Sequence, residues 1–515
     1  MKHQLVVNKS LQKMVPGVWL TAAAVSICLL TVFILVGMIS ARGLSYFLPS
    51  PVQTIVLQQP IAGQSQYVGQ ILAQEDSYQA LNDRESAAQR ILLRHTTSNL
   101  ARSKYLWIEL NEIKSMRLDK DIMVVERLNA SPLFVYAYQT SQAKLLAKLE
   151  QINQLQDRVA ELRRGKLSRL LDQVDQAGPD LPSIRDSLAD VEAEISALQQ
   201  KMQQKNLLVT NIYGQQVEIK AQELATLYWP NQMNFWQKSK FFVQRFIDFV
   251  SDYPREANTR GGVFPAIFGT VLMVLLMSLL VAPMGVIAAI YLHEYAGNNW
   301  LTRIIRIAVI NLAGVPSIVY GVFGLGFFVY FVGTGIDEIF FSEQLPSPTF
   351  GSPGILWSAL TLAILTLPIV IVTTEEGLSR IPVSIREGSY ALGANRSETI
   401  WRVILPMASP AIMTGLILAV ARAAGEVAPL MLVGVVKMAP TLPLDNVFPY
   451  LHLDRQFMHL GFHIYDLGFQ SSQIEAVRPM VFATAFLLIL IVVFLNLAAV
   501  SLRNRLNYKY HYTKR

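Results

Sequence analysis

Six stretches of this chain are too long and too apolar to be anything but membrane spans. Uncharged runs occupy 14–41, 261–292, 307–336, 344–374 and 479–502. A further run extends from Val403 to Val436, interrupted only by Arg422 and Glu426. A helix needs about 20 apolar residues to cross the hydrocarbon core. No backbone polar group can be left unpaired there, so each run must be a helix. Of the 515 residues, 52% are hydrophobic and 16% charged, against about a quarter charged in soluble domains. The expected fold class is therefore an all-α polytopic membrane protein with six transmembrane helices.

Charge gives the orientation. The N-terminal segment carries Lys2, Lys9 and Lys13 without an acid, and the C-terminal one Arg503, Arg505, Lys509, Lys514 and Arg515 without an acid. Basic flanks stay in the cytoplasm, and an even number of spans returns the chain to the side it started from. The short connection 337–343 holds Asp337, Glu338 and Glu343 and no base, which suits the outer side. The first apolar centre, Val18 to Ile39, exceeds the roughly 7–15 residues of a signal-peptide core, so it reads as an uncleaved anchor. The expected divisions are 1–41, the N-terminus and first span; 42–260, an external insertion; 261–502, a five-span core holding a cytoplasmic loop at 375–409; and 503–515, a basic tail.

Several function classes drop out. Cys28 is the one cysteine, so no intrachain disulfide can form. No Cys/His cluster suggests a metal, and His293-Glu294 lacks the second histidine of a zinc-binding helix. The net charge of +7 follows the membrane flanks and gives no reason to expect a nucleic-acid partner. No cofactor is expected.

The insertion is highly polar and nearly neutral, with 26 basic and 24 acidic residues. Short β-branched and aromatic runs, Ile122–Glu126 and Leu133–Tyr138, predict a small β-containing unit within 104–140. Leu145, Leu149, Ile152, Leu155, Val159, Leu162, Leu167, Leu170 and Val174 then recur mostly three or four apart. Gly178-Pro-Asp-Leu-Pro182 breaks the pattern, and Ile184, Leu188, Val191, Ile195, Leu198 and Met202 resume it. Two such helices around a proline-rich turn predict an antiparallel hairpin, either a docking arm for a partner or a self-packed part of the domain. Residues 159–166 imitate a phosphate-binding loop, but Ala160 stands where its first glycine must be.

The polar stretch between the fourth and fifth runs is the most specific signal. It reads Glu387, Gly388, Ser389, then Gly393, nine residues, Val403 and Leu405-Pro406. This skeleton resembles the EAA loop of bacterial ABC importer permeases, with Gly388 and Ser389 in place of two alanines. Four more stretches narrow the likeness: 254–270, Ile290-Tyr-Leu-His-Glu-Tyr-Ala296, Gly314-Val-Pro-Ser-Ile-Val-Tyr-Gly-Val-Phe-Gly324 and Ala421-Arg-Ala-Ala-Gly-Glu-Val-Ala-Pro-Leu430. Together they resemble the permease subunits of the bacterial phosphate ABC importer. The insertion and short basic tail favour the PstA type, in an extended variant.

The resemblance implies a type I ABC importer permease fold whose insertion is periplasmic and α+β. It implies a PstB-like ATP-binding dimer, a PstC-like second permease, a PstS-like periplasmic phosphate-binding protein and inorganic phosphate, all acting in the bacterial inner membrane. It implies ATPase coupling through Glu387, Gly388, Ser389, Ala391, Leu392, Gly393, Ala394, Leu405 and Pro406. No Walker A motif is present, so hydrolysis would belong to the partner and no catalytic residue is expected. Alternating access would be eased by kinks at Pro316, Pro368 and Pro429.

Arg422 and Glu426 stand four apart, as residues sharing one helix face do. Arg422 lies about 18 Å along a helix counted from Pro410, a position near mid-membrane. Charges at that depth face a bundle interior or a watery path. Arginine meets an oxyanion with a planar fork, so the pair reads as a substrate pathway; an internal salt bridge is the competing reading. Glu375, Glu376, Arg380, Arg386, Arg396, Glu398 and Arg402 read as solvated or partner-facing. Gly321, Gly324 and Gly326 read as packing glycines. Arg422 alone would not separate phosphate from molybdate or sulfate, and a membrane sensor or scaffold is the alternative from another class.

Overall fold

Six helices of the computed structural model have the length and apolarity to cross a membrane: Val18–Ser45, Phe264–Tyr295, Ser317–Phe340, Ile355–Ser379, Arg396–Gly425 and Val477–Arg505. They are called spans one to six below. The model describes residues 2–61, 63–76, 89–96, 103–128, 130–136, 142–167, 170, 182–211, 214–255, 258–297, 299–439, 441–445, 448–471 and 474–511. Two units divide the chain: 1–46 with 265–444 and 451–515, and 47–264 with 445–450.

In the first unit, proline and glycine move the span ends away from where apolarity alone puts them. Span three begins at Ser317, not 307. Pro316 is extended, with φ −55° and ψ 135°, and disfavours helix in the residue before it. The residues ahead of it form a separate helix, Trp300–Leu312, with no buried side chain. Span four begins at Ile355, because Pro346, Pro348, Gly351, Pro353 and Gly354 exclude a regular helix before it. Pro368 lies inside span four as expected, whereas Pro316 stands just before span three and Pro429 just before the short helix Leu430–Val433, so neither kinks a helix from within.

Asp337 is not a solvated loop acid. It sits in the helical turn Thr334–Phe340, is buried, and accepts hydrogen bonds from the Phe350 and Gly351 amides at 2.8 and 2.7 Å. Its charge therefore serves backbone amides and cannot count towards the outer-side assignment of that connection.

Span four is the centre of this unit. Two thirds of its most apolar window is buried (67%), against 33% or less in the others. Spans two and five close on it through small residues. A methyl at Gly285 would meet Val370 Cγ1 at 2.6 Å, one at Gly415 would strike Thr373 Oγ1, and one at Gly377 would strike the Ala411 methyl. Small residues drive helix packing where lipid offers no hydrophobic penalty to separation. Met273, Val274, Met277, Leu362, Val370, Ala419 and Ala423 fill the seam. Gly321 and Gly324 pack against Pro429 and Thr361, while Gly326 meets nothing within 4 Å.

The second unit is far richer in strand than its sequence suggests. Strands β1 (Val52–Ile61), β2 (Gln64–Asp76), β3 (Gln89–Thr96), β4 (Ser103–Glu109) and β5 (Ile113–Leu118) pair in the order β4-β3-β2-β1-β5. Strands β6 (Ile122–Arg127), β7 (Leu133–Tyr136), β8 (Leu207–Asn211), β9 (Gln216–Ile219) and β10 (Leu224–Tyr228) pair as β10-β6-β7-β8-β9. The pairings are antiparallel. The first sheet escapes a search for β-branched runs in part because glutamines interrupt β1 and β2.

The two helical arms are present as Gln142–Glu161, continued by a π turn to Leu167, and Pro182–Gln203. Leu145, Leu149, Ile152, Val159, Val191, Ile195 and Met202 join one core with Met123, Val125, Val135, Leu207 and Val209 of the second sheet. The apolar stripe is thus spent on intradomain packing, which favours the self-packed reading over a free docking arm. Val174 and the turn at 178–181 lie outside the described residues. On β6, burial alone would push the Glu126 carboxyl up. The touching Arg245 guanidinium outweighs that and holds it below its usual range.

The glycine seam is testable. Overpacking a tight interface costs about 1–3 kcal/mol. Gly415→Val should cut the yield of monodisperse, membrane-inserted protein, whereas Gly326→Ala should leave it unchanged. Equal yields in size-exclusion profiles of the two variants would show that the seam is not tight.

Candidate functional site

The loop between spans four and five folds into a small helical step. A helix runs Val383–Ala391, started by Pro382 at φ −56° and ψ 140°. It stops because Gly393 adopts φ +87°, the left-handed conformation that glycine alone reaches without strain. The Leu392, Gly393 and Ala394 amides return to the carbonyls of Gly388, Tyr390 and Ser389 at 3.2, 2.9 and 3.2 Å. Asn395 then caps the next helix reciprocally: its Oδ1 accepts the Glu398 amide at 2.8 Å, and Glu398 Oε2 accepts the Asn395 amide at 3.0 Å. The Ser389 and Thr399 hydroxyls meet at 2.9 Å and close the step.

This loop helix has two faces. Ile385 packs against Ile290, Leu378, Ile381, Ile400 and Ile404. Glu387, Gly388 and Ala391 of the helix are exposed, as are Leu392 and Gly393 just past its end, with Leu392 90% accessible. Ser389 and Ala394 are half-buried. Leu405 and Pro406 belong elsewhere: they open the regular helix Leu405–Gly425 within span five, and Leu405 packs inward. Sequence reasoning missed Val383, Tyr390 and Trp401, which add 63%, 43% and 62% exposed apolar side chains. Their signal was an aromatic or branched residue within an otherwise polar loop. It also misplaced Arg386, which is not solvated but donates to the Leu378 carbonyl at 3.1 Å and is held inside the step.

Arg422 and Glu426 do come together, but not on one helix face. The helix ends at Gly425, and Glu426 is extended at φ −79° and ψ 132°. Gly425 and the nearby Pro429 end the helix one residue short of the carboxylate. Arg422 Nε lies 3.4 Å from Glu426 Oε1, and the side chains are 33% and 20% exposed. The Nε donor makes no hydrogen bond, so the contact is an ion pair without hydrogen-bond geometry. Arg422 falls in the last turn, about 25 Å from Leu405 at 1.5 Å per residue. By that count it stands at the end of the regular helix rather than its middle.

Three of the sequence motifs meet near this pair. Tyr320 donates to the Leu312 carbonyl at 2.6 Å. Gly321 abuts Pro429, and a methyl at Gly461 would meet Val427 Cγ2 at 2.5 Å. Thr270 Oγ1 accepts the Leu460 amide at 2.9 Å. Sequence reasoning gave no role to the charges that follow. Lys437 Nζ reaches the buried Asp466 at 3.0 Å, and His459 and His463 are both buried.

Comparison with known proteins adds the family. A model of the binding-protein-dependent transport system inner membrane component matches residues 281–508. The chain is 32% identical over 261 residues to the probable ABC transporter permease protein YqgI of Bacillus subtilis, covering 50% of this chain and 82% of that one. It is 33% identical over 251 residues to the phosphate transport system permease protein PstA of Yersinia pestis, covering 49% and 75%. With YqgH of Bacillus subtilis it shares 34% over 202 residues, 39% of this chain and 62% of that relative's length. Among solved structures, the inward-facing MetNI methionine ABC transporter is similar over 47% of this chain and 94% of that one, at 17% identity and a TM-score of 0.36.

Proposed function

This chain belongs to the binding-protein-dependent transport system inner membrane component family, and from that premise we propose that it is the PstA-type permease subunit of an ATP-driven phosphate importer. It is a multi-pass inner-membrane transport subunit rather than an enzyme. The observation that carries the reading is the loop helix. Ile385 packs the short helix onto the span ends, while Val383, Glu387, Tyr390 and Ala391 are exposed along it and Leu392 just past its end. Exposed apolar side chains on a rigid step suit docking to another protein.

In this reading a PstB-like ATPase dimer binds the loop helix from the cytoplasm, and both termini lie on that side. Residues 42–260 are periplasmic, where a PstS-like protein delivers phosphate, and a PstC-like permease supplies the other wall of the path. The names of relatives that transport phosphate favour this anion over molybdate or sulfate. Arg422 meets the passing anion, and Glu426 is its resting partner. The loose pairing supports this role, because a guanidinium tied into a good hydrogen bond would have to break it before turning to phosphate. Weak binding is expected of a conducting site.

Orientation is checked by fusing a reporter that is active only outside the cytoplasm. A fusion at Gly214 should be active and one at Asn395 silent; the reverse at either position removes the docking assignment.

Docking is checked with Gly393→Arg, which strains the left-handed turn and puts a charge on the exposed face. The variant should insert normally yet lose about tenfold or more in phosphate uptake, as one lost interface anchor of about 1.4 kcal/mol or more would. Wild-type uptake and phosphate-stimulated ATPase activity in that variant would sink the docking role.

The pathway role separates from a purely structural salt bridge by a double substitution. Arg422→Ala should nearly abolish uptake in assembled complexes, and Arg422→Lys should fall between, since it keeps charge without the planar fork. A structural pair instead predicts that Arg422→Met with Glu426→Met recovers assembly and transport. Recovered transport in the double variant would exclude the pathway role.

A further inference from the structure

Span two ends in a single π-helical turn, Tyr291–Tyr295, and that turn gathers arginines from three other elements. Arg386 of the loop helix places Nη2 3.0 Å from Glu294 Oε1, with side chains only 14% and 8% exposed. The same guanidinium donates from Nη1 to the Ile381 carbonyl and from Nη2 to the Leu378 carbonyl, both at 3.1 Å, where span four ends. His293 Nδ1 stands 3.0 Å from the same Glu294 oxygen. Arg396, at the start of span five, lies over the Tyr295 ring at 4.6 Å. Arg306 of the helix Trp300–Leu312 donates to the Leu292 carbonyl at 2.9 Å and lies 3.5 Å from Glu375 of span four.

The connectivity makes this arrangement informative. The loop helix is covalently joined to spans four and five, so any force on it reaches them through the chain. It has no such path to span two. The apolar contacts of Ile385 with Ile290 resist separation but permit sliding. A buried ion pair does not slide, because displacement leaves an uncompensated charge away from water. π turns also recur at functional positions in helices.

We propose that the Arg386–Glu294 pair is the strut that carries displacement of the loop helix into span two, with Arg396–Tyr295 bracing the same turn. Both are positioning residues, and neither touches the transported anion. The proposal rests on the reading that the loop helix docks on an ATPase.

The test uses the complete importer in lipid vesicles with the ATPase, the binding protein and inorganic phosphate, and reads phosphate moved per ATP hydrolysed. Arg386→Glu and Glu294→Arg should each lower that ratio about tenfold, within the range that coupling between sites commonly spans. The exchanged pair, Arg386→Glu with Glu294→Arg, should recover most of it. Where a reversal hinders assembly, Arg386→Met with Glu294→Met restores packing without the ion pair, and its assembled fraction should still show the lowered ratio. A wild-type ratio in that fraction makes the pair merely structural and overturns the strut, as does an exchanged pair that assembles but stays uncoupled. Gly393→Arg run in parallel separates the two ideas. If it too leaves coupling intact, the docking reading fails; if it uncouples while the strut variants do not, only the strut fails.

Discussion

Every break in a span of this protein is governed by one requirement: backbone amides and carbonyls removed from water must find partners. The long segment after Gly425 shows how it is met. The Gly354 amide donates to the Val433 carbonyl, Leu356 to Leu453, Ile355 to Arg455 and Val436 to Phe457, each at 3.0 Å. The open start of span four is thus paired with residues 433 and 453–455, and residue 436 with 457. Asp337 does the same for the amides of Phe350 and Gly351. These residues leave helical geometry and yet pair their amides with carbonyls or a carboxylate.

The second constraint is closeness. Glycines at 285, 377 and 415 bring spans two and five onto span four. That contact fixes the floor on which the loop helix rests, since Leu378, Ile381, Ile400 and Ile404 all come from the ends of those spans. The exposed face of the loop helix is thus presented from a rigid base. The only described element there with a left-handed residue is the turn at Gly393, which points the chain back into span five.

Much of this was legible in the sequence, for reasons that differ by element. The apolar runs betray all six spans because lipid demands a composition that few soluble segments share. Their ends were misjudged where apolar residues continue past a helix stop: Ile307–Leu312 are as apolar as a span, and Pro316 alone marks the break. The loop helix was legible because its glycine and capping residues sit at fixed offsets. Its exposed residues were only partly so. Leu405 and Pro406 belong to the motif but not to the surface, and Arg386 looks like any solvated charge until Glu294 is found beside it, 92 residues away in sequence. The first sheet of the insertion was hidden in part because glutamines punctuate β1 and β2, one of them, Gln70, buried. Only one of its pairings is distant in sequence: β1 meets β5 across some sixty residues, as in Gln53 with Leu118.

The break at Gly425 changes what Arg422 can do. In an unbroken helix the carbonyls near Arg422 would be taken by amides four residues on. Here the helix stops, the Glu426 amide turning back to the Ala423 carbonyl at 3.2 Å, and the helix end carries partial negative charge. A cation in that turn is stabilised by the helix end itself, and it needs Glu426 less than an arginine in mid-helix would. That fits an ion pair at 3.4 Å with no hydrogen bond and both side chains partly exposed. A guanidinium shared between a helix terminus and a loosely held carboxylate can keep its place while exchanging one anion for another. In the proposed pathway the helix stop would matter as much as the charges, because it lets a charge stand at a polar break without locking it to its neighbour.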